Sequence, residues 1–131
     1  MNAATVRRSK LRQTEAAAGC RTPQYGRMVD RADFGVYIHI PFCRTKCTYC
    51  SFVIRPWQQE TADRYCCALV QELEHFFAAD RSWGTADTIY FGGGTPSLVP
   101  ESDIARILAT CRRLFDVAPD CEISLEANPE T

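Results

Sequence analysis

The chain reads as an α/β protein of order βαβαβ, with parallel strands joined by crossover helices. Short β-rich stretches alternate with longer ones whose apolar residues recur at three- and four-residue steps. Proline ends the first β-rich stretch and a run of glycines ends the second. Helices placed between strands imply right-handed crossovers, and so one parallel sheet.

Order is expected to begin near Phe34. The leader, residues 1–33, is basic: the first 35 residues carry seven Lys/Arg against three Asp/Glu, whereas the remainder carries eight against thirteen. With no aromatic interleaving and no amphipathic period it reads as an unstructured polar leader, and nucleic acid is not an expected partner. Residues 35–40, GVYIHI, form a β-rich run, and Pro41 ends it because proline cannot donate to a ladder. A cysteine-bearing loop follows to about Arg55. Pro56 lets a helix start between residues 57 and 60 and run to about Ala79. Its buried stripe is Cys66, Leu69, Val70, Leu73, Phe76 and Phe77.

Residues 87–91 form a second strand, stopped by Gly92, Gly93 and Gly94. A second helix covers about 100–115, with Pro100 in its first turn, where the missing N–H costs nothing. Its stripe is Ile104, Ile107, Leu108, Cys111 and Leu114 or Phe115. Residues 121–127 are a third strand, and 128–131 resemble the start of another helix. A closed eight-unit barrel needs ~250 residues and six units ~190. The chain is therefore expected to be the N-terminal portion of a larger protein, truncated, with an open strand edge that favours association.

The composition, 46% hydrophobic and 24% charged, is that of a soluble globular protein. No apolar run reaches the ~18 residues of a membrane span. Nor does an apolar stretch follow the basic Arg7-Arg8-Ser9-Lys10 as in a signal peptide, so a cytoplasmic location is expected. In that compartment the eight cysteines are thiols, some of them metal ligands, and not a disulfide framework. Cys66, Cys111 and Cys121 are expected to act as small buried hydrophobes. Cys20 is read as an incidental tail thiol and His75 as a surface residue.

Cys43, Cys47 and Cys50 stand at CxxxCxxC spacing just after the first strand. Three thiolates can hold three irons of a 4Fe–4S cube, leaving the fourth iron open to a small molecule. With His39 the same thiols could instead form a Cys₃His zinc site and make the chain a zinc-stabilised interaction module. His39 could equally pack near a cluster. The Gly92–Thr95 run follows the second strand, where bare backbone can approach a ligand and offer N–H and C=O groups. It is neither a P-loop nor a GxGxxG fingerprint, so phosphate is not indicated, and by itself it would be a turn. Glu126 ends the third strand. Ligands of parallel α/β sheets lie beyond such strand ends.

Three blocks, YIHIPFCRTKCTYC (37–50), IYFGGGTPS (89–97) and EISLEANP (122–129), resemble the radical SAM superfamily. Within it they resemble the coproporphyrinogen oxidase-like branch, which holds oxygen-independent coproporphyrinogen III oxidases and heme chaperones. The resemblance implies that residues 34–131 are the N-terminal part of a partial (β/α)6 barrel. It implies a 4Fe–4S cluster on Cys43, Cys47 and Cys50, with S-adenosylmethionine (SAM) on the open iron as source of a 5′-deoxyadenosyl radical. Gly93, Gly94 and Thr95 would cradle the methionine part of SAM, and Glu126 would contact its hydroxyls or amino group. Tyr37 would lie beside SAM. Tyr49 would sit near the nucleotide, shield the cluster, or both.

In the oxidases another cysteine follows the third ligand by two positions. Here that position is Phe52, and residues 1–33 do not resemble the oxidases' N-terminal extension. The resemblance therefore leans to the chaperones, which bind heme and pass it to acceptor proteins. A reducing partner such as flavodoxin or ferredoxin is implied as well.

Overall fold

The computed structural model describes residues 4–8, 33–77 and 83–129. In chain order the elements are β1 (Ala4–Arg8), β2 (Phe34–Ile40), β3 (Phe42–Cys43), β4 (Arg55–Pro56), α1 (Gln59–Phe77), β5 (Thr85–Gly93), α2 (Glu101–Leu114) and β6 (Asp116–Leu125). A 3₁₀ turn, Pro96–Leu98, links β5 to α2.

Period-two alternation in β2 divides the molecule. Phe34, Val36, Ile38 and Ile40 are buried on one face, while Gly35, Tyr37 and His39 point to the other. β5 continues both rows in parallel register, Val36 beside Ile89 and Ile38 beside Phe91, with Tyr37 beside Tyr90. β6 pairs in parallel on the far side of β5, giving the order β1-β2-β5-β6. The two helices cover the apolar face. Ala62, Cys66, Leu69 and Leu73 of α1 and Ile107, Cys111 and Leu114 of α2 are buried there, whereas the Phe76 side chain lies outside the described residues. Val70, Phe77, Ile104 and Leu108 pack at the margin of this core.

An aromatic cluster closes the N-terminal end of the parallel strands. Phe34 meets Trp83 and Phe115 at centroid distances of 5.8 and 5.4 Å, and Phe77 meets the same two rings at 5.5 and 5.3 Å. Tilted and edge-on rings of this kind add about 0.5–1.5 kcal/mol each beyond their burial.

Several elements depart from expectation. Ala4–Arg8 is not unstructured: it pairs antiparallel with β2, Val6 opposite Val36. The outer edge of β2 offers unpaired backbone groups, and Thr5 and Val6 are β-branched residues suited to an edge. The rest of the leader, with Cys20, lies outside the described residues. Pro100 precedes α2 as its N-cap instead of lying in its first turn, and its carbonyl accepts the N–H groups of Asp103 and Ile104 at 2.9 and 3.2 Å. β6 begins five residues early because residues 118–121, with Pro119, bulge between the pairs Ala86–Val117 and Thr88–Glu122. Cys121 is half-buried there.

β6 is one edge of the sheet, with β1 the other, and it pairs with β5 alone among the described residues. Ile123 and Leu125 extend the buried rows of Ile89 and Phe91, yet they are 42% and 39% exposed. Among the described residues no helix is long and apolar enough to cross a membrane.

Candidate functional site

Beyond the C-terminal ends of β2, β5 and β6 lies one open cleft of about 900 Å³. Cys43, Cys47 and Cys50 line it, and so do Gly93, Gly94, Thr95 and Glu126. The cysteine loop, residues 44–54, leaves and returns through β3 and β4, whose parallel pairing makes a neck. The Arg55 N–H reaches the Pro41 carbonyl at 2.7 Å and the Trp57 N–H reaches that of Cys43 at 2.9 Å. Buried Phe42 meets Trp57 and Tyr65 edge-on, at 6.0 and 5.3 Å. A firm neck thus carries an exposed loop: Cys43 and Cys50 are half-buried and Cys47 is exposed. Tyr49, on the cleft wall, is 88% exposed. Its phenol is held above the usual value, first by its hydrogen bond with Cys47.

The glycine turn is bonded back into the protein. The Gly93 N–H donates to Glu126 Oε2 at 2.9 Å, that of Gly94 to the Ile40 carbonyl at 2.7 Å, and that of Thr95 to the Phe42 carbonyl at 2.7 Å. The N–H groups expected to face a ligand are therefore already used, and the turn presents a wall bare of side chains. Gly93 has φ +118°, and a Cβ there would meet the His39 ring at 2.6 Å. At Gly94 a Cβ would lie 2.5 Å from the Phe42 carbonyl oxygen. Thr95 is buried, and its hydroxyl donates to Cys43 Sγ at 3.5 Å.

Glu126 is held from two sides. Besides Gly93, the Tyr90 hydroxyl donates to its Oε1 at 2.6 Å. Tyr90 in turn stacks on Tyr37, with centroids 6.0 Å apart and planes 19° from parallel. Tyr37 does not line the cleft; it stands behind Tyr90 on the same face, its hydroxyl 3.0 Å from His39 Nδ1. Burial first and the negative Glu126 second hold its phenol above the usual range. His39 belongs to this tyrosine row and not to the cleft lining, while its carbonyl accepts the Tyr65 hydroxyl at 2.6 Å.

The sequence reading gives no role to Tyr90, which reaches the cleft through Glu126, or to Asn128. Tyr90 could have been found from its alternation with Ile89 and Phe91, which puts it on the uncovered face. Asn128 lines the cleft and its N–H reaches Ser97 Oγ at 3.4 Å; it lay within the third sequence block without a role.

The family model of the radical SAM superfamily matches residues 37–131, which takes in every element that lines the cleft. The chain belongs to the radical SAM superfamily. It is 48% identical over 101 residues to the heme chaperone HemW of Mycobacterium tuberculosis, covering 75% of this chain and 26% of that protein. It is 43% identical over 94 residues to the anaerobilin synthase of Escherichia coli O157:H7, covering 70% and 21%. Among solved structures it resembles the coproporphyrinogen III oxidase HemN of Escherichia coli, a radical SAM enzyme, with TM-score 0.65, 35% identity and coverage of 71% and 21%. This radical SAM chain thus spans 21–26% of the length of these relatives.

Membership implies an iron–sulfur cluster and SAM, and the donor set fits them. Three soft thiols on one loop share a cleft with a side-chain-free turn and a carboxylate. Among the described residues no group of three or more His, Cys, Asp or Glu is gathered closely enough to hold a metal ion. A structural zinc site needs a fourth ligand, and His39, the candidate for it, is engaged with Tyr37. Cys66 and Cys111 are no substitutes, because burial pushes their thiols up to about 11 and about 12 and keeps them neutral.

Proposed function

We propose that this chain is the cluster-bearing part of a heme chaperone-like radical SAM protein. Cys43, Cys47 and Cys50 hold a 4Fe–4S cluster, and Gly93, Gly94, Thr95 and Glu126 receive SAM at its open iron, with Tyr49 over the cleft and Tyr37 bracing it from behind. The observation that carries this reading is the convergence in one cleft of three cysteines, a glycine turn and a strand-end carboxylate from three separate sequence blocks. When bound, cluster and SAM supply one-electron reductive chemistry at a sulfonium. The chain's own residues do the rest. The neck aims the thiols, the glycine turn keeps side chains out, and Glu126 keeps lone pairs free to accept from amino or hydroxyl groups.

Phe52 favours the chaperone over the oxidase. It lines the cleft, 64% exposed, at the position where the resemblance gives the oxidases a further cysteine. In this reading the cytoplasmic protein binds heme and delivers it to acceptor proteins, with flavodoxin or ferredoxin as electron donor.

The test is anaerobic reconstitution of the full-length protein, followed by EPR of the reduced sample with and without SAM. Heme titration and incubation with coproporphyrinogen III complete it. A signal that shifts with SAM, saturable heme binding and unchanged coproporphyrinogen III are expected. Cys47→Ala should lose the cluster's iron and sulfide. Decarboxylated porphyrinogen would assign the chain to the oxidases, formation of anaerobilin to the synthases, and a colourless protein with one zinc would overturn the cluster itself.

A further inference from the structure

We propose that Tyr90 is a positioning residue that holds the Glu126 carboxylate over the cleft for its ligand; this rests on the reading of the cleft as a SAM site. Glu126 follows β6, an edge strand of the sheet, and is exposed. Its backbone is tied by its own N–H to the Phe91 carbonyl at 2.9 Å, but a glutamate side chain in such a place is free to visit many rotamers. Two bonds remove that freedom: Tyr90 Oη on Oε1 at 2.6 Å and the Gly93 N–H on Oε2 at 2.9 Å. The first has the length of a charge-assisted O–H to carboxylate bond.

Tyr90 is suited to the task because it is held itself. Its ring lies against Tyr37, and Tyr37 is within hydrogen-bond distance of His39, two residues along β2 on the same face. At 39% exposure on the uncovered face the ring adds nothing to the helix-covered core. Its hydroxyl, not its apolar area, has the use. Tyr90's phenol is held above its usual value, first through this bond. With one donor on each oxygen, Glu126 retains lone pairs to accept further bonds, so it selects a donor group on the ligand. The α-amino group or ribose hydroxyls of SAM fit that requirement, and its carboxylate does not.

Tyr90→Phe keeps the stacked ring and removes the bond. In full-length, anaerobically reconstituted protein, SAM affinity by calorimetry should fall about tenfold, the usual scale for a bond to a charged group. Iron content and melting temperature should stay as in wild type. Glu126→Gln should also weaken SAM, and the double variant should be no weaker than Glu126→Gln alone. An unchanged Kd in Tyr90→Phe, additive losses, or a loss of affinity that follows a fall in melting temperature overturns the role of Tyr90. A second readout needs no SAM: ¹³C NMR of labelled tyrosines, with Tyr90 identified by its loss in Tyr90→Phe. Its phenol should titrate above the ordinary value and fall back in Glu126→Gln; a phenol indifferent to Glu126 overturns the bond. Wild-type protein that carries a cluster but binds no SAM overturns the reading of the cleft, and with it the purpose given to Tyr90.

Discussion

The Thr95 hydroxyl donates to the sulfur of Cys43 across 52 residues of sequence, at 3.5 Å. Thr95 ends the glycine turn and Cys43 begins the cysteine loop, so this contact couples the two halves of the cleft. The Thr95 N–H, bonded to the Phe42 carbonyl, fixes the same junction from the backbone. A hydrogen bond to a ligand sulfur stabilises the more negative, reduced state of a cluster.

Thr95→Val should therefore leave a cluster in place and make it harder to reduce. A bond worth ~1 kcal/mol corresponds to ~40 mV for a one-electron couple. A redox titration followed by EPR reads this directly. A midpoint unchanged from wild type would show that the hydroxyl does not face the cluster-bound sulfur.

The glycine turn is expected to be intolerant for reasons of space. A methyl at Gly94 meets backbone of Phe42, which cannot swing aside as a side chain would. Gly94→Ala should cost about 1–3 kcal/mol in urea denaturation and lower iron retention, since β3 is displaced at the neck of the loop. Full stability with full iron content would contradict the close approach seen here.

Alkaline pH should destabilise the fold through its two buried thiols. Burial raises Cys66 to about 11 and Cys111 to about 12 from an ordinary 9.0. Below pH 9 both thiols keep their protons folded or unfolded, and their contribution is complete. Above pH 9 the unfolded chain releases them while the folded chain holds them, so stability falls as pH rises, by roughly 1.4 kcal/mol per unit per thiol. The fall from Cys66 ends near pH 11 and that from Cys111 near pH 12. Denaturation curves at pH 8, 9 and 10 under argon should show the slope, and Cys66→Ala or Cys111→Ala should each remove one share of it.

Phe52→Cys places a thiol where the oxidases are expected to carry one, on an exposed part of the cleft wall. It should not by itself create decarboxylase activity, because one thiol does not supply a substrate pocket. Chromatographic detection of decarboxylated product in a full-length Phe52→Cys protein would show that this position alone separates the two classes.

Much of the fold is local and could be read along the chain. Alternation at Phe34, Val36, Ile38 and Ile40 marks a half-buried strand, and the stripes through Cys66, Leu69 and Leu73 or Ile107, Cys111 and Leu114 mark two helices. Each follows from the geometry of a single element. The three cysteines, the glycine run and Glu126 were legible for a related reason. Parallel topology brings the C-terminal ends of successive strands to one side, so residues just past those ends share a cleft.

What the sequence by itself determined, then, is which residues face the core and which elements end at the site. Only the tertiary structure decided how those residues are held. Nothing periodic marks Ala4–Arg8 as a strand, because its partner is the free edge of β2, 26 or more residues away. The two-residue strands of the neck have too little length for any pattern. The bonds of Thr95 to Cys43, Tyr90 to Glu126 and Gly93 to Glu126 join residues 33 to 52 apart. Such pairs have no signature in either stretch alone. They depend on distances that exist only once the sheet has assembled.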